Sequence, residues 1–206
     1  MKNRREFIKQ AAMLGAGVAG GVMLAKNAAA QEIAYADPSS AVNPDEMPVK
    51  EAAKKMKIVI GSDHAGYALK LRLLPALKKM GHQVTDVGSY DPNPVDFPDI
   101  CLKIGDAILN GEAERGIVFC GTGVGAALAC NKIPGLRAAV CHDIFSAHQC
   151  VEHDDVQVMT LGNQIIGYSV ALEHIQAFLA ATFLEDEQFR RRVQKVEMLG
   201  AQRKRR

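Results

Sequence analysis

Apolar residues first gather at Lys57-Ile58-Val59-Ile60-Gly61, a run too short for an amphipathic helix and suited to a strand buried on both faces. Beyond it Leu69, Leu73, Leu77 and Met80 recur every three or four residues up to Gly81, which predicts a helix stopped by that glycine. Pro75 falls inside this helix and is expected to bend it or to mark a late restart. The same alternation then repeats, with strands expected at 83–88, 116–120, 138–141 and 156–161 and helices at 98–110, 125–132, 145–152 and 169–183. Five short strands alternating with helices predict an α/β domain of three layers. It is a Rossmann-like, five-stranded parallel sheet with helices on both faces, followed by a polar C-terminal helix from 185 onward.

The first 55 residues do not follow this rhythm. Asn3-Arg4-Arg5-Glu6-Phe7-Ile8-Lys9 precedes a Gly/Ala-rich apolar stretch over 11–24 and then Ala28-Ala29-Ala30, which reads as a twin-arginine export signal over 1–30. The stretch is short and interrupted by glycine, a poor fit to the roughly 20 strongly apolar residues of a spanning helix. The expectation is therefore passage through the twin-arginine translocase to the periplasm, with retention at the membrane if the signal stays uncleaved. Residues 31–55, with Pro38, Pro44 and Pro48 and no apolar period, read as a mobile linker, leaving 56–206 as the folded domain.

Composition narrows the chemistry. Lys+Arg 25 against Asp+Glu 23 gives a net charge of only +2, and aromatics are 5% with no Trp, so neither a basic field nor stacking platforms argue for nucleic acid. A small polar ligand is the better expectation. The terminal Arg203-Lys204-Arg205-Arg206 reads as a solvated basic end. Five cysteines include no CxxC pair and no zinc spacing, and their odd number leaves at least one thiol free.

In an open parallel sheet ligands sit beyond the carboxyl ends of the strands. Those places here carry Gly61-Ser62-Asp63-His64-Ala65-Gly66, Cys120-Gly121-Thr122-Gly123-Val124-Gly125 and Cys141-His142-Asp143. With His153-Asp154-Asp155, which closes the helix before the fifth strand, they are expected to converge on one edge. Three glycines in 121–125 at a helix start would let backbone amides approach an anion such as a phosphate, a carboxylate or an enediolate. Cys120, directly before that cradle, is expected to have a lowered pKa and to serve as a base in its thiolate form. Each of these residues also has a plain structural reading, as a buried cysteine, a cap or a tight turn.

Taken together, these motifs resemble ribose-5-phosphate isomerase B and the related galactose-6-phosphate isomerase subunits. The resemblance also draws on Asp96-Phe97-Pro98-Asp99, Asn131-Lys132-Ile133-Pro134-Gly135-Leu136-Arg137-Ala138 and Phe145-Ser146-Ala147, and it spans roughly residues 56–197. It implies metal-free aldose–ketose isomerisation of a pentose or hexose phosphate through a cis-enediolate. Cys120 would be the base, and Thr122 with the amides of Gly121, Gly123, Val124 and Gly125 would hold the enediolate oxygen. Asp63 and His153 would open the furanose ring, while His64, Asp154, Arg137 and Arg192 would contact substrate. No cofactor is implied, and the resemblance implies a homodimer or homotetramer whose sites are completed across the subunit interface.

Two positions depart from the family's pattern. Asp154 stands where a neutral Asn is usual and would repel a phosphate dianion, and Gln188 stands where the first of two phosphate-gripping arginines is expected. Together with the export signal they raise the alternative of an unphosphorylated sugar. A non-catalytic sugar-binding module would keep the cradle but need neither Cys120 nor His153. A nucleotide hydrolase would need a phosphate-loop lysine, which the 121–125 loop lacks.

Overall fold

The computed structural model describes residue 49 and residues 51–202, with side chains as far as 199. The export signal and most of the linker expected from the sequence lie outside the described residues. No helix among the described residues is long and apolar enough to cross a membrane. The end of the linker segment is tied down: the Ala52 N–H donates to the Met80 carbonyl at 3.0 Å, and Val49 and Ala52 pack on the core.

The domain alternates as its apolar pattern requires. The strands are β1 (Lys57–Ser62), β2 (Gln83–Asp86), β3 (Arg115–Cys120), β4 (Ala138–Val140) and β5 (Val158–Gly162). The helices are α1 (Tyr67–Lys79), α2 (Phe97–Leu109), α3 (Val124–Cys130), α4 (Ile144–Asp154), α5 (Tyr168–Ala180) and α6 (Glu187–Gln202). All strands run parallel in the order β2-β1-β3-β5-β4. The insertion of β5 between β3 and β4 was not visible in the sequence.

Alternate strand residues divide the core in two. Ile58, Ile60, Ile117, Phe119, Met159 and Leu161 point to the side covered by α1, α4 and α5, whereas Val59, Val118, Cys120 and Val158 point toward α2 and α3. Fully buried residues such as Ile58, Ile117 and Phe119 each contribute about 1.5–3 kcal/mol of transfer free energy. This alternation fixes where Cys120 points: its side chain belongs to the α2–α3 side. Pro75 does not mark a restart: α1 runs on through it. It sits at an exposed position, and Leu71, whose carbonyl loses its partner to the proline, is itself 46% exposed, so water can replace the missing N–H.

Two further features hold the carboxyl edge. Lys70 on α1 is fully buried and its ammonium meets both Asp86 oxygens, at 2.8 and 2.9 Å, and the Ser89 carbonyl. Its charge is thus paired and satisfied inside the fold, and the loop after β2 is anchored to α1. All five cysteines are free and buried, with the Cys141 and Cys150 sulfurs 3.8 Å apart.

Candidate active site

At the carboxyl edge the chain leaves β1 and β3 in opposite directions, β1 toward β2 and β3 toward β4. This is the point where an open sheet forms a crevice. Asp63 directly follows β1 and Cys120 ends the neighbouring β3 there. The Asp63 N–H donates to the Phe119 carbonyl at 3.2 Å, and its carboxylate accepts from the Gly66 N–H at 2.8 Å. Gly66 is required by proximity: a Cβ there would lie 2.1 Å from the Phe119 carbonyl carbon. Gly123 is required twice over, since its φ is +77° and a Cβ would meet the β5 backbone at 3.3 Å.

The 121–125 loop is fastened by the turn that follows the neighbouring β5. Asn163 and Gln164 N–H groups donate to the Cys120 and Gly121 carbonyls at 3.0 Å, and the Asn163 amide reaches Ala65 O at 2.9 Å. The Val124 N–H lies 3.4 Å from Thr122 Oγ1, and the Phe97 ring covers Gly125, where a Cβ would come within 3.0 Å of it. Exposed His64 accepts the Val95 N–H at 3.4 Å, joining the crevice to the loop before α2. His142 accepts the Gly162 N–H at 3.0 Å and Asp143 caps α4 through Ser146, so these two serve structure.

Electrostatics correct one expectation. Burial pushes the Cys120 thiol above its ordinary pKa and the neighbouring Asp63 carboxylate pushes it further, while the Gly123 and Thr122 amides pull back only in part. The free protomer therefore holds a protonated thiol at neutral pH rather than a standing thiolate. The helix that was to lower the pKa is a mere seven residues, and the desolvation of a 7%-exposed cysteine outweighs it.

A second correction concerns convergence. Because α4 runs back antiparallel to β4, His153, Asp154 and Asp155 lie at the amino edge of the sheet, with Arg137 just before β4. They are separated from Cys120 by the length of β5, about 13 Å. Within one protomer the expected site residues thus form two groups. Arg137 is committed at this second edge: Nε donates to Asp155 O at 2.9 Å, Nη2 to Asp155 Oδ2 at 2.5 Å and Nη1 to Glu197 at 2.6 Å. It thereby fastens α4 to α6, with one N–H each of Nη1 and Nη2 beyond these three bonds. Arg190 and Arg191 face Glu185 and Glu187 at 3.5 and 3.7 Å. Arg192 has no carboxylate within ion-pair distance among the described residues; it lies 5.7 Å from the Phe189 ring, which stacks on His153. Asp154, next to His153 in the chain, is exposed.

Sequence reasoning missed Lys70 with Asp86, the Asn163 latch, Phe97, Gln149 and Phe189. For Gln149 a signal was present, since it precedes His153 by four residues on one helix face. Among the described residues no three His, Cys, Asp or Glu side chains gather as a metal site would.

Comparison with known proteins gives this arrangement a family. The Ribose/Galactose Isomerase profile matches residues 58–196. The chain is 41% identical over 128 residues to a ribose-5-P isomerase B of Listeria innocua, covering 62% of this chain and 86% of that protein. It is 42% identical over 131 residues to a D-erythrulose-4-phosphate isomerase of Pectobacterium atrosepticum, covering 62% and 85%. The solved ribose-5-phosphate isomerase B of Clostridium thermocellum superposes with a TM-score of 0.70 at 42% identity, over 71% of this chain and 99% of that one. With the cysteine, the carboxylate and the glycine cradle at the β1–β3 crevice, these matches place the chain in the ribose/galactose isomerase family, as an aldose–ketose isomerase of sugar phosphates.

Proposed function

We propose that the protein interconverts ribose 5-phosphate and ribulose 5-phosphate, or a closely related aldose and ketose phosphate, at the β1–β3 crevice. The carrying observation is the buried Cys120 held between the Asp63 carboxylate and the Thr122 and Gly123 amides. A base beside a preformed oxyanion cradle is what proton abstraction next to a carbonyl needs. Cys120 starts as a thiol and must first lose its proton, for which Asp63 is the neighbouring acceptor. The thiolate then takes the C2 proton of the open-chain aldose, the electron pair moves into the cis-enediolate, and the proton is returned at C1 while the O2 hydroxyl proton passes to O1, leaving the carbonyl at C2. Thr122 and the amides of Gly121, Gly123, Val124 and Gly125 stabilise the oxygen charge, and His64 borders the crevice.

His153, Asp154 and Arg192 act in this reading from a second protomer, in a homodimer or homotetramer. Support comes from the protomer itself, where the two groups stand too far apart to meet on one small sugar. His153 opens the furanose and Arg192, free of carboxylate partners among the described residues, meets the phosphate. The Asn3-Arg4-Arg5 segment and its apolar continuation support export by the twin-arginine route to the periplasm. Full-length protein assayed with ribose 5-phosphate, allose 6-phosphate and their unphosphorylated counterparts tests the activity. Turnover of a phosphate ester that Cys120→Ala abolishes is expected, and turnover of free sugars alone would overturn the substrate reading. Loss of periplasmic protein on replacing Arg4 and Arg5 by Lys tests the route.

A further inference from the structure

We propose that Gln149 and Phe189 are positioning residues that fix the orientation and tautomer of the His153 ring for opening a cyclic substrate. The proposal rests on the reading that His153 is the ring-opening group. The carboxamide of Gln149 meets His153 Nδ1 at 2.8 Å from one turn back on α4. Phe189, 7% exposed on α6, lies parallel to the imidazole with ring centroids 4.1 Å apart and 17° between planes. One contact fixes the ring in its own plane and the other fixes the plane, so the imidazole is held at both degrees of freedom and Nε2 is the nitrogen left to meet a sugar.

The chemistry of the partner matters as much as its position. On the same helix His148 Nδ1 faces the Glu152 carboxylate at 2.9 Å, a charged partner one turn ahead. His153 instead has a neutral amide one turn behind it, which orients the ring without a formal charge. An amide can donate to a bare Nδ1 or, rotated, accept from a protonated one. Accepting through its oxygen it keeps the proton on Nδ1, which leaves Nε2 bare to take the anomeric hydroxyl proton and, once the ring is charged, to return a proton to the ring oxygen. The edge of the ring that reaches substrate keeps one direction throughout, because Phe189 holds the plane in either state.

The proposal separates two kinds of substrate. Ribose 5-phosphate closes to a furanose through its free 4-hydroxyl and must be opened. Erythrose 4-phosphate has that oxygen esterified, cannot form the five-membered ring, and needs no opening group. With the full chain, Gln149→Leu and Phe189→Leu are expected to lower kcat/KM on ribose 5-phosphate at least tenfold more than on erythrose 4-phosphate, and Phe189→Tyr is expected to restore the ratio. His153→Ala is the reference. If it fails to change the ratio, the ring-opening role of His153 falls; if it changes the ratio and Gln149→Leu does not, the positioning role falls alone. Nitrogen-15 NMR of the imidazoles gives a readout independent of turnover: Gln149→Leu is expected to alter the Nδ1–H to Nε2–H balance at His153, and an unaltered balance would overturn the proposal.

Discussion

The two edges of the sheet are built by different physics. At the carboxyl edge, Cys120 and Asp63 are 7% and 5% exposed, glycines admit close backbone contacts, and the ion pair nearby joins a fully buried Lys70 to Asp86. At the amino edge, His153 is held by a ring stack and an amide, and Arg137 pairs with Asp155 and Glu197, whose side chains are 36% and 53% exposed. The first edge is fixed by sterics and desolvation, whereas the second is fixed largely by side chains in contact with water. The difference suits the roles proposed for them, because moving a proton at carbon demands a dry, preset cradle and meeting a phosphate demands an accessible cation.

The comparison can be broken most severely at Cys120. Cys120→Ala is expected to reduce kcat/KM by about 100- to 10,000-fold, the range for a general base, with little change in melting temperature; a loss under tenfold would move the base elsewhere. Next come the ion pairs. Asp86→Ala strands the buried Lys70 charge and is expected to cost about 3–5 kcal/mol in denaturant unfolding. Glu197→Gln at the exposed edge is expected to cost about 0–1 kcal/mol. Equal costs would erase the contrast drawn between the edges.

Smaller effects sharpen it. Arg192→Gln is expected to raise KM for ribose 5-phosphate about tenfold, as loss of one charged contact would, and Asp154→Asn to lower it, since that carboxylate repels the same phosphate. Matching shifts on an unphosphorylated sugar would show that neither residue senses the phosphate. At Cys120 the sign follows from its raised pKa: fewer thiolates form at a given pH than for an ordinary thiol, so alkylation by iodoacetamide should keep rising with pH after that of an ordinary thiol has levelled off. Asp63→Asn removes a charge that opposes the thiolate, so labelling of Cys120 at about pH 8 is expected to become several-fold faster. Slower labelling would contradict the local electrostatics described here.

The sequence was most readable where one physical rule acts alone. Apolar periodicity located every strand and helix of the domain within a few residues, and the glycines of 121–125 announced a close backbone approach. Its reach ended where two effects compete or where distant segments meet. The cysteine beside a helix start suggested a lowered pKa, but burial and Asp63, 57 residues earlier, decide the sign, and neither shows in a local window. His153 follows other candidate residues so closely in the chain that it was expected at their edge, yet the return of α4 carries it to the opposite one. The carboxylates that hold Arg137, on Asp155 and Glu197, lie 18 and 60 residues away and show in no local window. Phe189 against His153 likewise needs α6 to dock on α4, which periodicity does not encode.

The central claim is that one functional site takes Cys120 from one edge and His153 from the other edge of a second protomer. Cys120→Ala and His153→Ala proteins, each inactive, should be unfolded together, refolded as a mixture and assayed on ribose 5-phosphate. In a two-fold dimer of random composition half the dimers are mixed and each contains one intact site, so about a quarter of the wild-type activity should return. A mixture that forms mixed oligomers yet stays as inactive as its parents would contradict the shared site and require both residues to act within a single protomer.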